Sequence, residues 1–283
     1  MKQSEITKHA TLQGVPNSTI DKDWILGHIL HAMYEIQEAS DLLVFKGGTC
    51  IHKCWIENYR FSEDLDFTLL DPVYNISPDW INSILRIAGS QSGAIFHLES
   101  LEEQHWKDIP QGYLIKVKFW GADHHPNQRP LQPSRWLSKI HIDINYTEPL
   151  FDKPILRNII HPYSDLETIT RQAVSYSLPE LLAEKIRALQ QRNRPRDIYD
   201  VYKLSHFLPE TERQHVKELL QKKCVLKHLP FDDPEYFVNP LKQRINERHW
   251  QRALKHQIPA HLLQDFPSTY QTLSSYLKNL IKG

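Results

Sequence analysis

The sequence predicts an α+β protein: a small mixed sheet carrying acidic side chains, followed by a largely helical second half. Two observations lead there. Alternating and short apolar runs share residues 1–150 with two helical patterns, whereas helical periodicity dominates from about Leu178 onward. The character changes at the Glu148-Pro149 break, so the chain reads as a core with an N-terminal helix over 1–150 and a helical domain over 151–283 that closes the core's cleft.

Residues 21–39 (DKDWILGHILHAMYEIQEA) space Trp24, Ile25, His28, Ile29, Ala32, Met33 and Ile36 as a helix, with Asp21 as its cap. LLVFKGG follows, a short apolar run stopped by two glycines, and reads as a buried strand ending in a tight turn. Thr49 to Glu57 fits a helix, and FSEDLDFTLL alternates as a strand. Further strands are expected at 95–99, 112–120 and 139–146, the last of which, KIHIDINY, alternates throughout. Between the last two lies a polar, proline-rich loop over 123–135. Helices are expected in SLPELLAEKIRALQQ, RDIYDVYKLSHFL, ETERQHVKELLQKK, HWQRALKHQI and STYQTLSSYLKNLI.

Lysine plus arginine and aspartate plus glutamate number 34 each, so no global field attracts a polyanion. Any nucleotide or nucleic acid must be met by a local patch. Cys50, Cys54 and Cys224 are too few for a disulfide framework, and Cys50 and Cys54, four apart on a helix, read as core thiols. The N-terminus lacks the apolar core of a signal peptide, and no run reaches membrane-spanning length, which predicts a cytoplasmic protein without a membrane partner. Sixteen histidines are scattered without ligand spacing, which argues against a histidine metal site.

In DLDFTLL, Leu65, Phe67 and Leu69 share one face of the strand and Asp64, Asp66 and Thr68 the other. Two carboxylates held about 7 Å apart at Cα repel. Either solvent or a divalent cation must offset that repulsion, and Mg²⁺ prefers one or two carboxylates plus phosphate oxygens. KIHIDINY repeats the pattern, with Ile140, Ile142 and Ile144 against His141, Asp143 and Asn145. If the two strands are neighbours, Asp143 becomes a third acid of the kind a two-metal site uses. Its other reading is an ion-pair partner for Lys139 or an arginine.

Lys46-Gly47-Gly48-Thr49 stands between a buried strand and a helix, where glycines admit close approach of a phosphate and Lys46 adds a charge. Neither GxxxxGK[ST] nor GxGxxG occurs, so by itself the segment is equally a tight turn. Further on, Ser177 and Glu180 form a capping box. Steps of about 100° put Leu178, Leu181, Leu182, Ile186, Ala188 and Leu189 on one arc with Lys185 at its middle. Glu180, Glu184, Arg187 and Gln191 fall opposite. The next helix starts near Pro195, and its stripe of Ile198, Val201, Leu204 and Leu208 takes in Asp197, with Asp200 at the edge. A lysine aimed at a core must find an anion or lose its charge. Lys185 and Asp197 are thus either a buried ion pair joining two helices or two groups facing a cleft. Arg187, Arg192, Arg194 and Arg196 concentrate positive charge nearby.

The string F-K-G-G-T, fourteen residues, D-L-D-F (Phe45 to Phe67), with R-F-S-E at 60–63, resembles the AbiEii/AbiGii toxin family. That family lies in the polymerase-β-like nucleotidyltransferase superfamily and includes the MenT toxins. A-E-K-I-R-A-L at 183–189 and R-P-R-D-I-Y-D-V at 194–201 resemble it too, so the likeness spans nearly the whole chain. The superfamily's usual Gly-Ser is Gly-Thr here and its gap of about ten is longer, departures that resemble the AbiEii branch. The resemblance implies a nucleotidyltransferase core in which Asp64, Asp66, Lys185 and Asp197 are catalytic. It assigns Lys46, Gly47, Gly48, Thr49, Arg60, Ser62, Lys185, Arg196 and Asp200 to the nucleotide, and Asp64, Asp66 and Asp143 to Mg²⁺ or Mn²⁺. Ser62 is expected, by alternation, on the face of the acids. The implied activity moves a nucleoside monophosphate from a nucleoside triphosphate to an acceptor hydroxyl, on tRNA or another RNA. The implied setting is the toxin of a toxin–antitoxin or abortive-infection pair, with a cognate antitoxin as partner. The residues alone also allow a metal-dependent phosphohydrolase acting on nucleotides, or a non-catalytic nucleotide-binding module.

Overall fold

In the computed structural model the described residues are 1–125, 127–192, 194–259 and 262–282. The chain forms two compact units, Met1–Leu150 with Pro154–Tyr176, and Phe151–Lys153 with Ser177–Gly283.

The first unit carries strands β1 (Leu43–Lys46), β2 (Asp64–Leu69), β3 (Ile95–Trp106), β4 (Ile109–Trp120), β5 (Lys139–Asn145), β6 (Ile155–Asn158) and β7 (Gln172–Ser175). They make one seven-stranded mixed sheet in the order β3-β4-β5-β2-β1-β7-β6. The pairs β2–β5 and β1–β7 are parallel and the remaining neighbours antiparallel. Register sets Phe45 beside Phe67, Phe67 beside Ile144 and Leu65 beside Ile142, so one face of the sheet is a continuous apolar layer with these side chains buried. Helix α2 (Asn17–Glu35) packs on β2, β5 and β7, and α5 (Pro78–Ser92) packs on α2 and β3. By alternation, Asp64 and Asp66 project from the opposite face.

Several expectations are corrected here. Residues 154–176 belong to the first unit, because β6 and β7 extend its sheet beyond β1. Asp21 lies inside α2 instead of capping it: the helix starts four residues earlier, and the buried Asp21 carboxylate accepts the Ala122 N–H at 2.7 Å. The helix expected over 49–57 is α4 (Gly47–Cys50) running into a π-helical turn, Ile51–Trp55. β3 and β4 are longer than expected, closed by Lys107 and Asp108 at φ 49° and 64°, both in the left-handed region that a tight two-residue hairpin turn demands. The remaining helices of this unit are α1 (Gln3–Gln13) and α3 (Gln37–Leu42).

The second unit is helical: α6 (Leu178–Gln191), α7 (Pro195–Phe207), α8 (Arg213–Leu226), α9 (Glu235–Arg244), α10 (Glu247–Leu254) and α11 (Phe266–Lys282). Helix α6 is packed by α7, α8 and α9, so it is buried well beyond one arc. That is why Glu180 and Arg187, expected to face outward, are buried. Ser177 Oγ accepts the Glu180 N–H at 3.2 Å as expected. The Glu180 carboxylate, however, leaves the capping box open. It accepts the N–H groups of Phe151 and Asp152 at 3.1 and 2.9 Å and pairs with Lys223 at 2.9 Å. Among the described residues no helix is long and apolar enough to cross a membrane.

Candidate active site

The strand order brings the sequence's acids together. Lys46 on β1 is the register partner of Asp66 on β2, which is the register partner of Asp143 on β5. Asp64 stands in the next such row, opposite His141. Neighbouring strands lie about 4.8 Å apart, so three carboxylates and a lysine share one small patch of the sheet face.

The glycine turn is locked to this patch. Gly47 adopts φ +80°, which disfavours any side chain, and a Cβ there would lie 2.1 Å from Asp66 Oδ2. A Cβ on Gly48 would lie 2.3 Å from Arg60 Nη2, so the buried Arg60 guanidinium lies against the turn. Arg60 also donates from Nη1 to the Phe61 carbonyl at 3.2 Å. Thr49 is buried and donates from Oγ1 to the Asp64 carbonyl, tying the start of α4 to the start of β2. Lys46, Gly47, Gly48, Thr49 and Arg60 are therefore one assembly with the acids.

Charges in the patch are unevenly matched. Asp64 Oδ1 lies 3.2 Å from His141 Nδ1, with both side chains half-exposed. Lys46 is largely buried, its Nζ 3.9 Å from Glu148 Oε2 and 5.9 Å from the centre of the Tyr176 ring. Asp143 makes no ion pair with Lys139 or an arginine among the described residues. Although Asp143 reaches solvent, partial desolvation raises its pKa, Lys46 lowers it, and Asp64 and Glu148 raise it again; the balance is upward. Asp64, Asp66 and Asp143 offer only oxygen donors, and Asp143 makes no hydrogen bond or ion pair among the described residues. This set fits a hard divalent cation such as Mg²⁺ or Mn²⁺.

For Ser62 the strand argument does not apply. β2 begins only at Asp64, so strand alternation does not reach this half-buried serine. His141 and Glu148 are site neighbours that sequence reasoning passed over. Alternation had put His141 on the face of Asp143, but its contact with Asp64 required knowing that β2 and β5 pair.

A second group lies in the helical unit. Lys185 is buried, with Nζ 3.0 Å from Asp197 Oδ1 and 2.8 Å from Asp200 Oδ2. Arg192 donates to the same Asp197 from Nε at 2.8 Å and Nη2 at 3.1 Å. Burial raises the Asp197 pKa, but Lys185 and Arg192 outweigh it and hold the carboxyl below its usual value. The buried ion pair that is one of the two readings of Lys185 and Asp197 is present, and Asp200, read as an edge residue, is a full member. Arg196 is half-buried on α7.

One further cluster has metal-ligand composition: His28, His161 and Asp165 each offer an atom within 4.8 Å of the others. Hydrogen bonds account for it. Asp165 Oδ2 accepts from Trp24 Nε1 at 2.8 Å and lies 3.1 Å from His28 Nε2, while Oδ1 lies 2.9 Å from His161 Nε2. Burial raises the Asp165 pKa, yet these three contacts hold its carboxyl well below the carboxylate range. Each ring also leaves Nδ1 buried without a hydrogen-bond partner among the described residues. Ligation through Nε2 would move the ring proton onto that Nδ1, the atom that ligating histidines normally satisfy. The cluster reads as a clamp that fastens the segment 161–165 to α2.

A family model described as nucleotidyl transferase AbiEii toxin, type IV TA system, matches residues 28–272. Among solved structures, the chain is similar to MenT4, a nucleotidyltransferase toxin from Mycobacterium tuberculosis H37Rv, with a TM-score of 0.67 and 17% identity over 99% of this chain and 89% of that one. At this identity the likeness is one of fold. No curated protein sequence gives a match. The family match covers both the sheet with its acids and the lysine–aspartate helices, and the chain belongs to the AbiEii toxin family of nucleotidyltransferases.

Proposed function

We propose that the chain moves a nucleoside monophosphate from a nucleoside triphosphate onto an acceptor hydroxyl, in a reaction that depends on a divalent cation held by Asp64 and Asp66. The observation that carries this reading is the row Lys46–Asp66–Asp143 laid against the Gly47-Gly48 turn, with Asp64 one step away. Asp143 is the third carboxylate of this set. A bound Mg²⁺ or Mn²⁺ would supply charge neutralisation for the triphosphate and the departing pyrophosphate. The chain's own part is positioning. Gly47 and Gly48 keep the turn free of side chains, Thr49 fixes it to β2, Lys46 supplies a cation to the phosphates, and the buried Arg60 guanidinium backs the turn that binds them. The acceptor oxygen attacks the α-phosphorus and the bond to the bridging oxygen of pyrophosphate breaks, chemistry governed by alignment and charge. The reading assigns Lys185, Asp197, Asp200 and Arg196 to the nucleotide as well, with Asp197 orienting Lys185. It takes RNA, tRNA included, as the acceptor class, the cytoplasm as the setting and a cognate antitoxin as the protein partner.

The test supplies each α-labelled triphosphate with Mg²⁺, total RNA and total protein, and follows the label. Label on RNA with release of pyrophosphate is the expected result. Conversion to free monophosphate without an acceptor selects a phosphohydrolase, and triphosphate that binds but is never consumed selects a binding module.

A further inference from the structure

The balanced net charge conceals an asymmetry along the chain. Residues 177–283 carry 18 lysines and arginines against 12 aspartates and glutamates, whereas residues 1–176 carry 16 against 22. A surplus of positive charge in one half points to a polyanion. Part of that surplus is matched within the fold: Lys185, Arg192 and Lys223 hold buried carboxylates, and Arg213 pairs with Glu210. Helix α10 differs. Asn246 caps it by accepting the His249 N–H at 2.9 Å, and Trp250 and Leu254 are fully buried. Trp250 Nε1 also donates to the Gln264 carbonyl at 2.8 Å, so one side of the helix is firmly anchored. Its one acid, Glu247, is engaged by the Phe266 N–H at 2.7 Å and by Gln251 Nε2 at 2.6 Å. The outward side presents Arg248, Arg252 and Lys255, the last in helical geometry just past the end, all exposed and about one turn apart. None of the three makes an ion pair among the described residues.

Folding alone does not account for this face. A cation near a helix C-terminus meets the negative end of the dipole, which explains Arg252 and Lys255. Arg248 is in the first turn, where the dipole disfavours a cation, and it repels Arg252 four residues on. The other exposed residues of the helix are Gln251 and Ala253, so the face lacks the aromatic or large aliphatic side chains that a protein interface or a membrane-bound helix buries. We propose that the Arg248–Arg252–Lys255 face of α10 is a docking surface for the phosphate backbone of RNA, which holds the acceptor by charge without reading its bases. The inference rests on the reading of RNA as the acceptor class and adds to it the surface that binds the strand. Contacts of this kind position a strand and carry no sequence information. They weaken as salt rises, because each bound phosphate releases counterions.

The test measures binding of a fluorescent oligouridylate to the full chain over a series of salt concentrations, beside transfer of label to total RNA. Arg248→Gln, Arg252→Gln and Lys255→Gln combined are expected to weaken oligouridylate binding by about tenfold or more at moderate salt. They should also reduce the slope of log affinity against log salt by about 2, roughly 0.7 for each of three phosphates. In transfer, the same variant should raise the apparent KM for RNA and leave kcat and triphosphate affinity unchanged. Arg248→Lys with Arg252→Lys keeps the charges and should bind as wild type does. Lys217→Gln, Lys222→Gln and Lys278→Gln combined remove as much charge from α8 and α11, and should keep the wild-type slope. Circular dichroism establishes that each variant is folded. An α10 variant with wild-type affinity and slope overturns the inference, while label on RNA from the wild type keeps the reading above in place. An equal loss in the α8 and α11 variant also overturns it, since net charge would then be responsible. Polyglutamate that binds as tightly as oligouridylate, and is lost with the α10 cations, assigns the face to an acidic protein instead. A wild type that binds no oligouridylate overturns the inference; if it labels no RNA either, the acceptor reading falls with it.

Discussion

Asp66 is held between Lys46 and Asp143 in one row of the sheet and against the backbone of Gly47, so its carboxylate can shift little without moving the turn. Asp64→Asn and Asp66→Asn keep the shape of each side chain and remove its charge. Each is expected to lower transfer by about 10²-fold or more, the usual loss when an essential electrostatic group is removed, with an unchanged circular dichroism spectrum. Transfer of label and thermal unfolding measured on one preparation check this; a variant retaining more than about a tenth of the rate contradicts the metal role. Lys185 calls for the same paired measurement. Its ammonium lies between buried Asp197 and Asp200, and breaking a buried pair costs about 3–5 kcal/mol. Lys185→Ala is therefore expected to lose stability, toward the lower end of that range because Arg192 still holds Asp197. It should also lose transfer in the fraction that stays folded; normal turnover there would make Lys185 purely structural. These residues were legible because each broke a local pattern: two acids opposite Leu65 and Phe67, and one lysine within an apolar arc. His141 and Glu148 broke none, and they are recognisable only from neighbours distant in the chain.

At the scale of elements, legibility followed burial. β1, β2 and β5 are central strands with an apolar face, and their composition announced them. β6 and β7 are four-residue strands at one side of the sheet, and ILRN and QAVS carry too little apolar alternation to be distinguished from loop. α5 begins with a Ser77 cap followed by proline, yet it fell in a stretch where no helix was expected. Asp21 shows the opposite error, in which a plausible cap proved to be an interior residue. Burial pushes its carboxyl up to about 6, while the Ala122 N–H lowers it and Asp123 raises it. A folded-state pKa above the unfolded value means that the contribution to stability is complete below about pH 4 and is lost as pH rises through about 6. Asp21→Asn removes the charge and retains an acceptor for Ala122. Its stability relative to wild type is expected to grow by about 2–3 kcal/mol between about pH 4 and pH 7, as read from urea unfolding at a series of pH values. A difference that does not change with pH would show that Asp21 remains charged in the folded protein at little cost.

At the scale of the whole molecule, the chain enters its helical unit twice, first at Phe151–Lys153 and again from Ser177. The sequence marked the change of character near Pro149 but not this double passage, because the contacts that create it are made by α6 and α8, far along the chain. Glu180 is the chief of these. Fully buried, it accepts the N–H groups of Phe151 and Asp152 and carries the charge that Lys223 meets at 2.9 Å. Lys223 in turn lies 5.6 Å from the centre of the Phe151 ring, and Asp152 accepts from Ser177 Oγ at 2.6 Å with His215 Nε2 at 3.0 Å. Removing Glu180 therefore strips two backbone donors and one buried cation of a partner in a single step. Glu180→Ala is expected to destabilise the protein by about 3 kcal/mol, the lower end for a broken buried pair, since Glu184 still approaches Lys223 at 3.4 Å. Glu180→Gln keeps an acceptor for the Phe151 and Asp152 N–H groups but not the charge, and should fall between wild type and the alanine variant. Equilibrium unfolding followed by circular dichroism separates the two contributions. If the glutamine variant matches wild type, the backbone contacts alone hold the first passage and the ion pair adds nothing. If it matches alanine, the passage depends on the charge that Glu180 presents to Lys223.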